Sequence, residues 1–369
     1  MPSFRNITFP GIAPVRADTP LKLNGRAVLA ASIQALVFLF LVPEAAAQDR
    51  AINLYSARHY QTDEALYANF TRSTGIKVNR IEAGDEALLE RLRAEGKGSP
   101  ADVLLLVDAA RLWKAQQENL FRPIRSAVLE ERIPAALRSS QGADGYAWFA
   151  ISTRARVIVA NKARIPENTV TRYADLADPS MKAMVCTRSA AHPYMLSLIS
   201  AVIAHEGEEA ATKWAGGVVK NFARPPRGGD IDQIRAVASG ECAIALTNTY
   251  YLARLMQSTR PQDQEVVGKI RMIWPDQQGY GTHINVTGGG VLQTSKNPDA
   301  IRFLEYLASD EAQRYLADGN NEWPAVPGLT TNNQALQSLG KFKADSLAVE
   351  ELGKAQSAAA RLIDRVGWR

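Results

Sequence analysis

The chain has 369 residues, of which 46% are hydrophobic and 22% are charged, and this composition is typical of a soluble globular protein, not of a disordered one. The formal net charge is +5, but basic residues are interspersed with acidic ones and form no block of like charge, so we expect no nucleic-acid partner. The length predicts two domains with sizeable cores.

The start of the chain has the pattern of a secretory signal peptide. A run of sixteen mostly apolar residues, 27–42, follows the basic Arg26 and precedes the small residues 45–47. A basic flank, a short apolar core and an Ala-x-Ala ending together predict cleavage after Ala47. A membrane-spanning helix would need about twenty apolar residues. We therefore expect residues 1–47 to be removed and the mature protein to be exported without stable membrane insertion.

The mature chain begins with strands and helices in alternation. Short apolar runs predict strands at 52–56, 76–81 and 102–107, and apolar residues at helical spacing predict helices at 62–73 and 85–95. The third strand is apolar throughout and is expected to be central in its sheet. This alternation predicts a parallel sheet with helices on both faces.

The middle of the chain predicts a passage between two domains. An extended segment begins at 146–151 and runs through 152–156 into a strand at 157–160, so two strands follow each other without an intervening helix. Beyond them the alternation restarts with a strand at 184–186, a helix at 193–206 and a strand at 242–246. The pattern therefore predicts a second α/β unit.

Two further signals lie in the second half of the chain. Asp230 and Gln233 form a predicted capping box at the start of a helix that Gly240 ends. Residues 286–292 are predicted as a strand with three consecutive glycines, which lack the spacing and the following helix of a phosphate-binding loop. We expect the glycines to mark a bulge or close packing.

Two cysteines are present, Cys186 and Cys242, and each lies eight residues before a tyrosine, Tyr194 or Tyr250. Disulfides form in oxidising compartments of the kind that an exported protein reaches. We predict a disulfide between neighbouring strands that lead into the same site. The alternative is two separate buried thiols.

Phenol groups follow three of the predicted strands. Tyr60 follows the first strand of the mature chain, Tyr194 follows the first strand of the second α/β unit, and the adjacent Tyr250 and Tyr251 follow the next. Ligands of open α/β sheets bind at the carboxyl ends of strands. Phenolates are hard oxygen donors that suit Fe³⁺, whose charge would help a group with a pKa near ~10 to ionise. A tyrosine pair alone would be interpreted as ordinary surface aromatics, so the prediction depends on all three loops.

Four stretches carry a resemblance to a known family. They are the segments 53–63, 99–105, 221–230 and 248–252, with the sequences NLYSARHYQTD, SPADVLL, NFARPPRGGD and NTYYL. Through them the mature chain resembles, over nearly its whole length, the periplasmic ferric-ion-binding proteins of bacterial iron ABC importers.

The resemblance implies an α/β fold of the two-lobed periplasmic-binding-protein type, class II, in which each lobe is a mainly parallel sheet flanked by helices. Lobe 1 would comprise 48–151 and 282–330, and lobe 2 would comprise 152–281 and 331–369. The hinge-connected lobes would close on their ligand. We then expect a periplasmic monomer that is not an enzyme and that passes iron to an inner-membrane ABC permease.

The resemblance also implies a set of metal ligands on the three loops. Its members are His59, Tyr60, Tyr194, Tyr250 and Tyr251. The expected cargo is Fe³⁺, and the sequence leaves open whether Fe²⁺ or a chelate is the physiological form. It also leaves open whether an anion binds with the metal and whether His59 ligates directly.

The charge of such a site predicts cations beside it. Four tyrosinates and a neutral His around a trivalent ion leave one buried negative charge, which is costly without compensation. Arg254 lies three residues after Tyr251 on the same helical turn, and Arg154 lies on the predicted passage between the lobes. We predict that both lie next to the phenolates and stabilise them.

Two other functions fit the sequence less well. A protein of the same architecture could bind an organic or oxyanion solute, because a fold does not fix its ligand, but such sites rely on Arg, Asp and Trp more than on phenols. An enzyme would need a nucleophile and a base. The chain has four His and contains no Gly-x-Ser-x-Gly or His-Glu-x-x-His motif.

Overall fold

The structure is a computed structural model that describes residues 50–58 and 60–369. The predicted leader, its cleavage after Ala47 and the candidate ligand His59 lie outside the described residues. Along the described ranges, none of the helices combines the length and the apolar character that crossing a bilayer requires.

The described chain contains nine β-strands and fourteen α-helices, numbered here in chain order. The strands are β1 (Ala51–Ser56), β2 (Lys77–Glu82), β3 (Val103–Leu106), β4 (Phe149–Asn161), β5 (Val185–Cys186), β6 (Ile244–Asn248), β7 (Ile270–Ile273), β8 (Ile284–Val291) and β9 (Trp323–Pro324). The helices are α1 (Asp63–Thr74), α2 (Asp85–Glu95), α3 (Ala109–Gln117), α4 (Ala127–Arg132), α5 (Pro193–Glu206), α6 (Glu208–Lys220), α7 (Asp230–Ser239), α8 (Thr249–Gln257), α9 (Pro261–Lys269), α10 (Asp299–Leu307), α11 (Asp310–Asn320), α12 (Gln334–Ser338), α13 (Glu350–Lys354) and α14 (Gln356–Val366).

The first part of the sheet is built around β1. This strand pairs in parallel with β2 on one side and with β3 on the other, as the strand–helix alternation predicts. β8 pairs antiparallel with β3 and brings Gly288, Gly289 and Gly290 against it. A Cβ added at these glycines would lie 2.7, 2.3 and 2.2 Å from its nearest neighbouring atom. Close packing therefore explains the glycine run.

β4 is the strand that joins the two parts of the sheet. It pairs antiparallel with β8 as far as Ala155, and from Arg156 onward it pairs antiparallel with β6. β7 also pairs with the second part of β4. All 13 residues of β4 are buried. The two strands predicted at 146–151 and 157–160 are thus one continuous strand, because partner strands are present along its whole length.

Separate hydrophobic cores lie along the two parts of β4. The first core includes Leu54 and Phe303, and the second includes Ile158. Val159, on the opposite face of the strand, packs with Leu252 in a third cluster. The architecture is therefore two-lobed and α/β, as predicted. Among the described strands, however, only three of the eight pairs are parallel, and the five pairs that involve β4 or β8 are antiparallel, so the sheet is mixed and not mainly parallel. The residue boundaries of the lobes stay a prediction.

Local sequence signals placed most helix ends correctly, with one correction. Helices α2 and α5 have their predicted bounds. The predicted capping box of Asp230 and Gln233 is wrong, because the carboxylate of Asp232 accepts the Gly229 N–H at 2.7 Å and Gln233 donates to backbone carbonyls instead. The helix still begins at the predicted residue.

Candidate metal site

Three of the candidate tyrosines lie together at the starts of two helices. Tyr250 is in the first turn of α8, directly after β6, and its hydroxyl donates a hydrogen bond of 3.0 Å to the hydroxyl of Tyr194 in the first turn of α5. The ring centre of Tyr251 lies 4.2 Å from that of Tyr250. Tyr250 is only 2% exposed. The structure thus gathers three phenols into one largely buried cluster.

The pairing of β5 with β6 explains why these two helices start side by side. The two strands are parallel, with Cys186 opposite Ala245. A disulfide joins Cys186 to Cys242 across a Cα–Cα distance of 5.8 Å, which confirms the predicted bond. Because each strand leads into one of the tyrosine loops, the disulfide restrains the separation of the two loops.

Tyr60 belongs to the other part of the molecule. It lies in the loop between β1 and α1, and it interacts electrostatically with both Tyr194 and Tyr250. The guanidinium of Arg58 lies 5.2 Å from the centre of its ring. The structure therefore brings four of the five candidate ligands into one neighbourhood, and the fifth, His59, lies outside the described residues.

Burial raises the pKa of the phenols in this cluster. The pKa values of Tyr60, Tyr194 and Tyr250 all lie above the usual value of a phenol, and burial is the largest cause for each. The positive charge of Arg154 lowers all three pKa values by a smaller amount. These phenols are therefore neutral near pH 7, and a cation that binds them as phenolates must displace their protons.

The two predicted cations differ in position. Arg154 is 3% exposed, its guanidinium lies 5.2 Å from the ring centre of Tyr194, and its Nη2 donates to the carbonyl of Val107. Burial opposes its charge, but neighbouring phenols and carboxylates raise its pKa above the usual value. Arg254 lies 5.9 Å from the ring centre of Tyr251 and is exposed. Its charge is accordingly screened by water and salt.

Similarity to known proteins identifies the family. The sequence profile of the bacterial extracellular solute-binding proteins matches residues 65–344. The chain belongs to this family. Among the relatives of this solute-binding protein, iron uptake protein A1 of Synechocystis is 44% identical over 323 residues, which cover 87% of this chain and 88% of the relative.

Solved structures of similar proteins share the fold of this solute-binding protein. FutA (IdiA) of Trichodesmium, determined in complex with iron and citrate, is 48% identical and superposes with a TM-score of 0.82, covering 86% of this chain and 100% of that one. The ferric binding protein of Campylobacter jejuni is 40% identical with a TM-score of 0.79, and it covers 86% of this chain and 100% of its own. Both are proteins of the two-lobed periplasmic-binding-protein fold.

Next to the phenols, the solute-binding protein has a buried ion-pair network that was not predicted from the sequence. Asp230, the first residue of α7, accepts hydrogen bonds from Arg156 at 2.5 Å and from Arg188 at 3.2 Å. The guanidinium of Arg188 also lies 5.2 Å from the ring centre of Tyr194. A signal was present, because Asp230 ends the family-like segment 221–230, but an aspartate at a helix start has a sufficient local explanation.

His192 has a structural role beside the phenols of this solute-binding protein. It is the N-cap of α5, where its Nδ1 accepts the Tyr194 N–H at 3.3 Å. Burial lowers its pKa to about 3, so its ring is neutral near pH 7. Among the residues that the structure describes, no three or more His, Cys, Asp or Glu side chains form a group suited to a metal. The oxygen donors in direct contact in this neighbourhood include the hydroxyls of Tyr194 and Tyr250.

Proposed function

We propose that this protein captures ferric iron through Tyr60, Tyr194, Tyr250 and Tyr251 and delivers it to an inner-membrane ABC importer. The observation that carries the proposal is the partly buried contact of 3.0 Å between the hydroxyls of Tyr250 and Tyr194. Two phenol oxygens this close can both bind one small cation once their protons are displaced. Phenolate is a hard anionic donor and Fe³⁺ is a hard ion, so the two are matched.

The charges around the phenols suit a metal site that carries net negative charge. Four phenolates around Fe³⁺ leave one net negative charge, whereas four around Fe²⁺ would leave two. Two arginines, Arg154 and Arg188, lie 5.2 Å from the ring centre of Tyr194, and Arg188 shares the carboxylate of Asp230 with Arg156. The surplus of positive charge in this group is suited to offset a small negative charge on the metal site.

The names of the relatives support the same cargo, since they include an iron uptake protein, a ferric binding protein and a structure that contains iron with citrate. We infer that the protein is a periplasmic carrier and not an enzyme, and we expect it to act as a monomer. His59, next to Tyr60 in sequence, is the fifth proposed ligand.

The two-lobed fold provides a route for capture. With lobes at 48–151 plus 282–330 and 152–281 plus 331–369, Tyr60 belongs to lobe 1 and the other three phenols belong to lobe 2. Iron that binds both sets favours the closed arrangement of the lobes, because only that arrangement supplies all the ligands.

Titration of the purified mature protein with ferric citrate tests the proposal. We expect a red-orange phenolate-to-iron absorption band that saturates at one iron per protein. Tyr250→Phe should weaken and shift the band and weaken binding by more than about 100-fold, since one of four phenol ligands is lost. Tyr280→Phe is the matched control, because this phenol is 48% exposed and lies outside the cluster. A wild-type protein that stays colourless and binds no iron would contradict the proposal.

A further inference from the structure

A buried carboxylate connects the two lobes beside the proposed iron site. Asp108 follows β3 and caps α3, where its Oδ1 accepts the Ala110 N–H at 2.9 Å. Its Oδ2 accepts hydrogen bonds from Ser197 Oγ at 2.9 Å and from Asn285 Nδ2 at 2.8 Å. Asp108 and Ser197 are 0% exposed, and Asn285 is 5% exposed. The carboxylate therefore joins three segments that are distant in sequence.

The hydrogen-bond donors of this carboxylate are uncharged. Those found among the described residues are a backbone N–H, a hydroxyl and an amide. A buried negative charge without a bonded cation is costly, so its retention needs an explanation. Arg154 supplies a nearby positive charge, since it interacts electrostatically with Asp108 and donates to the carbonyl of the preceding residue, Val107.

The same carboxylate is linked to the phenols by two routes. Ser197 lies one turn after Tyr194 on α5, so the two side chains project from the same side of the helix. Arg154 lies 5.2 Å from the ring centre of Tyr194. Asp108 thus contacts the helix that carries this tyrosine and also balances the cation that lies beside it.

We propose that Asp108 is a positioning residue for iron binding, which holds Tyr194 toward lobe 1 through Ser197 and holds the charge of Arg154 in balance. This inference rests on the proposed function and deepens it. In the described part of the chain Asp108 bonds to none of the proposed ligands, so it would act on Tyr194 indirectly, through Ser197 and Arg154. The Asp108 to Ser197 hydrogen bond crosses from lobe 1 to lobe 2. It must break when the lobes separate, so it stabilises the closed protein and slows iron release.

Two serines of α5 provide a matched test. Ser200 is also 0% exposed, and its Oγ has no hydrogen-bond partner among the described residues. Ser197→Ala and Ser200→Ala therefore each remove one buried hydroxyl, but only the first substitution removes a bond to Asp108. The readout is the loss of the phenolate-to-iron band when excess chelator is added. We expect release to be about tenfold faster in Ser197→Ala, the effect of losing one hydrogen bond to a charged group, and unchanged in Ser200→Ala.

Asp108→Asn removes the charge while its remaining oxygen can still accept the Ser197 hydroxyl of lobe 2, although the Ala110 N–H then loses its acceptor. The substitution keeps the size of the side chain and removes its negative charge, so the field of Arg154 on the Tyr194 phenolate is no longer balanced. A phenolate stabilised in this way gives up an electron less readily, and we expect the band to move to shorter wavelength. A band that stays at the wild-type wavelength would contradict the charge-balancing role of Asp108.

Small-angle X-ray scattering of the iron-loaded proteins adds a readout of shape. We expect Ser197→Ala to be more open than Ser200→Ala at the same iron occupancy. Equal release rates and equal scattering for the two serine variants would overturn the proposal, even if both proteins unfold more easily. In that case a wild-type band would leave the proposed function standing, whereas a wild-type protein without the band would overturn both.

Discussion

Two buried arginines near the candidate tyrosines differ in whether a carboxylate is hydrogen-bonded to them. Arg58 is 1% exposed and donates to Asp63 at 2.8 and 3.0 Å and to Glu322 at 2.8 Å. Arg154 is 3% exposed, and in the described part of the chain it has no hydrogen bond to a carboxylate and its Nε has no partner.

This difference separates a charge needed for folding from a charge available for binding. The charge of the Arg58 guanidinium is compensated within the protein, because it donates hydrogen bonds to two carboxylates. Arg154 instead lies beside neutral phenols, which would become anions if the proposed iron displaced their protons. The comparison teaches that a buried cation without a bonded carboxylate indicates a binding site for negative charge more strongly than burial of a cation alone does.

Acidification should have the largest effect on ferric affinity, because it acts on the phenols that lie near Arg154. Tyr60, Tyr194 and Tyr250 have pKa values above the usual value, so each holds a proton before iron binds and releases it on binding. Ferric affinity should therefore rise with pH and fall as the pH drops, by up to about tenfold per pH unit for each proton released. Chelator competition between about pH 5 and 8, corrected for the chelator's own protonation, measures this dependence. An affinity that is independent of pH would contradict phenolate ligation.

Arg58→Met should have the largest effect on stability. It leaves Asp63 and Glu322 buried without their cation, and breaking a buried pair in this way costs about 3–5 kcal/mol of unfolding free energy. Urea unfolding of the iron-free protein measures the loss. Arg314→Met is the control, because its ion pair with Asp310 is at the surface and should contribute less than about 1 kcal/mol. Equal losses in the two variants would remove the distinction drawn for Arg58.

Arg154→Met should show the opposite pattern. The substitution breaks no hydrogen bond to a carboxylate, but it removes the positive charge beside the buried Asp108. The unfolding free energy of the iron-free protein should therefore fall, but by less than in Arg58→Met, where two bonded carboxylates lose their cation. Ferric affinity should fall by about 10–100-fold, the usual cost of losing a group that supports metal ligands, while the phenolate band remains. The two variants, measured side by side by unfolding and by iron titration, sharpen the comparison. An unchanged affinity in Arg154→Met would break it.

Arg254→Ala should have the smallest effect. This arginine is exposed and lies 5.9 Å from the ring centre of Tyr251, so its contribution should stay within the range of surface charge pairs, about two- to fivefold in affinity. Iron titration at low and high salt measures it, since screening should remove the effect. A loss as large as that in Arg154→Met would show that burial does not decide which arginine matters.

Local patterns predicted the elements well because their causes are local. Helix α5 has its predicted bounds, since Pro193 and Gly207 lie at its two ends. The disulfide followed from the matched spacing of Cys186 and Cys242 before two tyrosines. The phenol loops followed from the rule that ligands bind at the carboxyl ends of strands.

The pairings that the sequence did not predict are those between distant residues. Glu322 is 264 positions from Arg58, and Ser197 is 89 positions from Asp108. Neither partner carries a local signal for the other, because each is chosen by the way in which the lobes pack. The continuous strand β4 was missed for the same reason, since its partners β6 and β8 come much later in the chain.

A crystal structure of the iron-loaded protein, with anomalous diffraction measured at the iron absorption edge, tests the central claim most directly. The account predicts one iron peak bounded by the hydroxyl oxygens of Tyr60, Tyr194, Tyr250 and Tyr251, with the guanidinium of Arg154 beside it. An iron peak held by carboxylates, or one located away from these four phenols, would contradict it.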